Sequence, residues 1–244
     1  MKIKLVLFLL LLFSINVILA QKSRHSYIPL IGDEAPSFTA ETTTGQINFP
    51  DDYGQKWKII FSHPRDFTPV CSSELFTLAQ MQRDFEKLNV QILVVSTDDL
   101  KKHFLWKKEI ESTTYKNIQP VKINFPIVDD SKWTIAKQYG MLHQAISDTK
   151  DVRGVFIINP DNKIEATFFY PMNIGRNMDE IKRTVIALQT AGKGKKRYMI
   201  PANWQVGDDV LVPHFPFTEQ EIKANPDLRL SYYNVGSFIW FKKM

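Results

Sequence analysis

Between residues 58 and 96 the chain reads strand, helix, strand, and no other feature of the sequence limits its fold as strongly. Residues 58–62 form a short strand with Ile59, Ile60 and Phe61 at its centre. Leu75, Leu78, Met81, Phe85 and Leu88 then recur every three or four positions, which gives a helix one buried face. Residues 91–96 are almost continuously apolar at Ile92, Leu93, Val94 and Val95, the pattern of a strand covered by helices on both sides. A chain built on this unit is an α/β protein.

The rest of the sequence extends the alternation. Residues 32–38 read as an entry segment and residues 43–46 as a turn. Thr97, Asp98 and Asp99 cap a helix reaching about Ile110, with Leu100, Phe104, Leu105 and Trp106 as its apolar side. Residues 125–130 give a short strand and turn, and residues 131–139 a helix closed by Gly140. Two strands, residues 153–158 and 163–170, meet at the tight turn 159–162 and form an antiparallel hairpin. A last core helix spans about residues 177–190, with Ile181, Val185, Ile186 and Leu188 inward. The order predicts a mixed central sheet. Residues 192–197 read as a flexible basic linker, and a boundary is placed near Lys193. The aromatic tail beyond it, with Trp204, Phe215, Tyr232 and Trp240 among its large side chains, is too small for a core of its own and must pack on something.

At the other end, Met1-Lys2-Ile3-Lys4 is a basic head on an apolar run, residues 5–20, broken only by Ser14 and Asn16. This is the pattern of a secretory signal peptide cleaved after Ala20, with an uncleaved membrane anchor as the alternative. The expected organisation is therefore a signal at 1–20, a main domain at 21–192 and a small subdomain at 193–244, in a secreted or periplasmic protein. Removing Lys2 and Lys4 lowers the formal charge from +5 to +3, and the basic residues are interleaved with acids, which excludes a nucleic-acid-binding surface. Export favours disulfides, yet Cys71 is the only cysteine of 244 residues, so it is a reactive thiol or an intermolecular partner. The five histidines are scattered without ligand spacing, so neither a metal nor a cofactor is expected.

Cys71 stands where the first strand gives way to its helix. There backbone N–H groups and the positive end of the helix dipole favour thiolate over thiol. Ser72, Ser73 and Glu74 suit the donors of that first turn and place Cys71 near, not deep inside, a surface. A lone cysteine is otherwise a small core hydrophobe. Here it closes the pattern Pro64-x-x-x-Thr68-x-x-Cys71, within Phe61-Ser62-His63-Pro64-Arg65-Asp66-Phe67-Thr68-Pro69-Val70-Cys71. This stretch resembles the active-site motif of one-cysteine peroxiredoxins, the peroxiredoxin-6-like branch of the alkyl hydroperoxide reductase and thiol-specific antioxidant family. The resemblance runs from about residue 30 to the end and is weakest in the last twenty residues.

The resemblance implies a thioredoxin-like fold and a thiol-dependent peroxidase with Cys71 as nucleophile. Thr68, one turn back, can hold the thiolate or the attacking oxygen by its hydroxyl, and Pro64 supplies shape and removes an N–H. The activating cation falls on Arg153, whose alternative is a solvated strand end. His63 either contacts the thiolate or is a satisfied strand-end histidine. Glu74 matches a carboxylate that orients its neighbours, or is a first-turn acid. Arg176 is a helix-start match read as structural. Peroxide is the expected substrate, an external thiol such as glutathione or thioredoxin the reductant, and a second copy the partner in a homodimer. Some members of the branch carry Gly-x-Ser-x-Gly before the strand, but Lys56 replaces the serine in Gly54-Gln55-Lys56-Trp57-Lys58, so no phospholipase activity is expected there. Two rival readings remain: a non-enzymatic peroxide sensor or holdase using the same oxidation, and a binding module with an inert cysteine.

Overall fold

The computed structural model describes residues 28–117, 119–193 and 198–244. The expected signal segment, residues 1–20, and residues 194–197 of the expected linker lie outside these. A five-stranded sheet has the order β5-β4-β3-β6-β7, with β3 Trp57–His63, β4 Val90–Ser96, β5 Ile127–Asp129, β6 Arg153–Ile158 and β7 Ile164–Tyr170. β3, β4 and β5 run parallel, whereas β6 pairs antiparallel with both β3 and β7. This is the mixed sheet that the strand and helix order predicts, in the thioredoxin-like form.

Side chains alternate across a strand, so each sheet face collects one parity of residues. Ile59, Phe61, Ile92, Val94, Val155 and Ile157 face the helices α1 Pro69–Lys87, α2 Leu100–Ile110 and α4 Met178–Lys193. Ile60, Leu93, Val95, Phe156 and Ile158 face the short helix α3 Thr134–Gln138 and the hairpin of β1 Phe38–Ala40 and β2 Ile47–Phe49. The sheet is thus buried on both faces, as the unbroken apolar run of β4 requires.

Four expectations need correction. In α2 the buried residues are His103, Trp106 and Ile110, while Phe104 and Leu105 are about half exposed, at 49% and 56%. The helix turns its polar histidine inward because a buried carboxylate receives it. α3 starts three residues later than expected, after Trp133 adopts a left-handed φ of 57°. Gly192 and Lys193 belong to α4 and not to a linker. In the same helix Leu188 packs on the core as expected, but Ile186 is only partly buried, and Met178, Ile181 and Val185 make the buried inner face.

The tail forms a three-stranded antiparallel sheet, order β8-β10-β9, from β8 Val210–Val212, β9 Tyr232–Val235 and β10 Ile239–Lys242, with α5 Glu219–Ala224 between β8 and β9. It is tied to the main domain by the buried Trp204, whose carbonyl accepts a bond from Arg183 Nη1 of α4 at 3.2 Å. The ring of Phe215 lies against those of Phe217, Tyr232 and Trp240.

Candidate active site

The chain leaves β3 at His63, passes the buried Pro64 and turns sharply at Phe67, whose φ of 58° is left-handed. A non-glycine residue in that region costs about 1–2 kcal/mol, which the surrounding contacts offset. Thr68 is then the extended N-cap, Pro69 occupies the first helical position, and Ser72 N–H donates to the Thr68 carbonyl at 2.9 Å. These steps set Cys71 in the first turn of α1. The expectation of a near-surface thiol is corrected: Cys71 is 2% exposed and belongs to the core cluster around Phe61, although Phe67 and Pro69 of the same turn are exposed. The Thr68 hydroxyl donates to the Arg65 carbonyl at 3.0 Å and makes no hydrogen bond to sulfur.

Arg153, the first residue of β6, is 1% exposed, so the solvated strand end is excluded. Its Nη1 lies 3.4 Å from Cys71 Sγ and 2.8 Å from Glu74 Oε2. Nε and Nη2 both donate to the Met172 carbonyl, at 3.1 and 2.7 Å, which holds the guanidinium plane in place. Glu74 is therefore no exposed first-turn acid. Its two oxygens also accept from Arg176, at the backbone N–H and Nε for Oε1 and at Nη2 for Oε2, all within 2.9 Å. Burial pushes the Glu74 carboxyl up, but the charge and hydrogen bonds of Arg176, with Arg153 behind them, outweigh burial and hold it below the ordinary glutamate range.

Arg176 completes the frame from the other side. Its Nη1 donates to the carbonyls of Ser62 and Gly154 at 2.8 and 2.9 Å, and its guanidinium lies over the Phe61 ring. Ser62 Oγ in turn donates to Val152 O at 2.6 Å and accepts from Gly154 N at 2.8 Å. A Cβ on Gly154 would meet that oxygen at 3.1 Å, so the close approach of β3 and β6 beside Arg153 favours glycine. Arg176, read from the sequence as structural, is buried and ties Glu74 to the β3 and β6 backbones.

His63 is 2% exposed and places Nε2 2.9 Å from Asp66 Oδ1, the satisfied strand-end arrangement. His103 of α2 reaches the other oxygen, Nδ1 to Oδ2, at 2.6 Å. Burial lowers the His63 imidazole's affinity for a proton despite Asp66. It also pushes the Asp66 carboxyl up, but bonds from His103 and His63 outweigh this and hold it well below its ordinary value. Sequence reasoning passed over Asp66, His103, Ser62 and the Met172 carbonyl. Asp66 lay inside the quoted motif, but His103 joins it across 37 residues and no local pattern marks such a pair. Among the described residues no three His, Cys, Asp or Glu side chains are grouped so as to hold a metal ion.

A buried sulfur at a helix start, facing a fixed guanidinium, sits among N–H donors that also reach an oxygen bound beside it. Comparison with known proteins bears on what such a site belongs to. The family model described as AhpC/TSA matches residues 31–167. The chain belongs to the AhpC/TSA family. A peroxiredoxin of Methanosarcina mazei is 50% identical over 187 residues, 76% of this chain and 84% of its own. Peroxiredoxin-6 of Bos taurus is 44% identical over 200 residues, covering 80% and 87% of the two chains. Among solved structures, the yeast mitochondrial 1-Cys peroxiredoxin matches with a TM-score of 0.75 at 35% identity, over 89% of this chain and 100% of its own. The family relatives are peroxiredoxins, thiol-dependent peroxidases, and this chain is an enzyme of that class with a single cysteine.

Proposed function

We propose that the protein reduces hydrogen peroxide and small organic hydroperoxides through Cys71, by way of a sulfenic acid that an external thiol resolves. The observation that carries this reading is the 3.4 Å approach of Arg153 Nη1 to Cys71 Sγ within the first turn of α1. The thiolate attacks the terminal oxygen of R–O–OH, an S–O bond forms as O–O breaks, and R–O⁻ leaves to take up a proton. Arg153 donates to the sulfur and to the oxygen that develops charge, with Glu74 and Met172 O fixing its direction. Pro64 and Thr68 shape the turn, and His63 steadies it through Asp66. An external thiol then attacks the sulfenic sulfur, water leaves, and a second thiol releases the mixed disulfide to restore Cys71.

Glutathione and thioredoxin are the reductant classes to try first, because the yeast relative's structure concerns thiol resolution via glutathione/thioredoxin systems. Steady-state peroxide consumption with each thiol added tests the proposal. Repeated turnover supports it. Consumption of one equivalent followed by arrest would instead support the sensor or holdase reading, and no consumption the inert module.

The proposal includes a homodimer formed through the open edge at β7, and export directed by residues 1–20. N-terminal sequencing of protein recovered from outside the cytoplasm should begin near Gln21, and an N-terminus at Met1 would contradict export with cleavage.

A further inference from the structure

Asp66 is the point where five parts of the molecule meet beneath the Cys71 turn. It lies 1% exposed in the loop after β3, and its oxygens face His63 of β3, Ser96 Oγ of β4 at 3.4 Å, and His103 of α2. Its own N–H donates to Asp98 Oδ2 at 2.7 Å. His103 is 0% exposed, with Nδ1 2.6 Å from Asp66 Oδ2 and Nε2 3.2 Å from the Val128 carbonyl at β5.

Hydrogen-bond stereochemistry fixes the state of that ring. A carbonyl oxygen only accepts, so Nε2 must carry a hydrogen. His63 and Ser96 both occupy Asp66 Oδ1, and the donors around Asp66 hold its carboxyl well below the ordinary value, which assigns the hydrogen between Nδ1 and Oδ2 to Nδ1. We infer that Asp66 and His103 form a buried carboxylate and imidazolium pair that positions the Cys71 turn, making both of them positioning residues for the peroxidase reaction proposed above. The charged groups around the pair are His63 on β3, Asp98 with its partners Lys102 and Lys150, Asp129 at the end of β5, and Arg176 acting on His63. Of these, Asp129 is the acid coupled electrostatically to His103, whereas Asp98 is taken up by Lys102 and Lys150.

The consequence for Cys71 is geometric. Asp66 and Cys71 are separated by four residues, one of them the left-handed Phe67, so the carboxylate sets where the turn ends and α1 begins. α2 is bound to the same turn a second time, by Trp106 Nε1 donating to Ser72 Oγ at 3.1 Å. Asp66→Asn keeps the shape but replaces one acceptor oxygen by an NH2 donor, and His103→Gln carries its N–H donors on a single nitrogen and so does not serve Asp66 and Val128 O together.

The test uses the full chain. In ¹⁵N imidazole spectra of the wild type at pH 7, His103 should show hydrogens on both nitrogens, and Asp66→Asn should remove that signature. Peroxide oxidation of Cys71 should fall about 10-fold or more in Asp66→Asn and His103→Gln, with alkylation at pH 7 slowed as well. A neutral His103 in the wild type overturns the inference whether or not a variant folds. Folded variants that melt lower but keep wild-type oxidation and alkylation rates also overturn it, since the pair would then be structural only. Loss of all peroxide reaction in the wild type would defeat the functional proposal, while the spectra and alkylation would still decide the pair.

Discussion

Arg153 Nη1 touches Cys71 Sγ at 3.4 Å and Glu74 Oε2 at 2.8 Å, so one nitrogen links the reactive sulfur to the carboxylate that orients it. Arg153→Ala should slow Cys71 oxidation by peroxide on the order of 10²-fold, the usual loss for one transition-state donor. Arg153→Lys keeps a charge without the planar fork and should restore alkylation at pH 7 better than it restores the peroxide rate. Stopped-flow oxidation and alkylation of both variants, with circular dichroism for folding, measure this. Wild-type peroxide rates in folded variants would remove Arg153 from the chemistry.

Glu74→Gln strips the only carboxylate from between two buried guanidinium groups. Breaking a buried ion pair from one side costs about 3–5 kcal/mol, so the melting temperature should drop by many degrees. Because the folded Glu74 carboxyl is held below its ordinary range, its stabilisation is present above that range and fades as pH falls through the folded value. Melting curves from pH 7 to pH 3 should show the wild type losing more stability than the variant.

Asp151 presents the opposite sign. It is 0% exposed, neither carboxyl oxygen has a hydrogen-bond partner, and burial, with Asp130 adding, pushes its carboxyl well above the ordinary value. Its favourable contribution is complete at acid pH and is lost as pH rises through the folded value. Asp151→Asn should therefore raise the melting temperature by a few degrees at pH 8, for a gain of about 1–3 kcal/mol, and by less at pH 4. Equal effects at the two pH values would show that Asp151 does not titrate in this way.

Asp151 is a group that no local pattern exposes, whereas Glu74 stood in a readable first turn, and the contrast is physical. The order of strands and helices was legible because the runs at Ile59–Phe61 and Ile92–Val95 bury both faces and leave one architecture open. The face of α2 was misread because hydrophobicity was equated with burial, whereas His103 is drawn inward by Asp66 and Phe104 is left at the surface. Cys71 and its turn were legible as local chemistry. Arg153 entered only through family resemblance, since its contact with Cys71 spans 82 residues. The grip of Arg176 on Glu74 spans 102 residues and needed the folded chain to be seen.

With Cys71 as the only cysteine, one equivalent of peroxide should leave a sulfenic acid or, with an external thiol present, a mixed disulfide. Intact mass should show a gain of one oxygen or of the thiol adduct. A loss of two hydrogens without any adduct would contradict the scheme. Excess peroxide should carry Cys71 on to sulfinic acid, because no resolving thiol in the chain competes for the sulfenate.

β7 is the outer strand of the main sheet beyond β6, and Thr167, Phe168, Phe169 and Tyr170 are all only partly buried. An open apolar edge invites pairing with another strand, and the two-fold mate of this chain is the expected occupant. Light scattering at micromolar concentration should give twice the chain mass. A monomer would rule the dimer out.

The two bonds from Arg153 to the Met172 carbonyl determine when the arginine loses its freedom. An unrestrained guanidinium side chain carries about 2 kcal/mol of rotamer entropy. Here that freedom is surrendered as the chain folds, before any peroxide arrives. In the proposed reaction the arginine therefore makes no search when peroxide binds, since its donors are fixed beforehand.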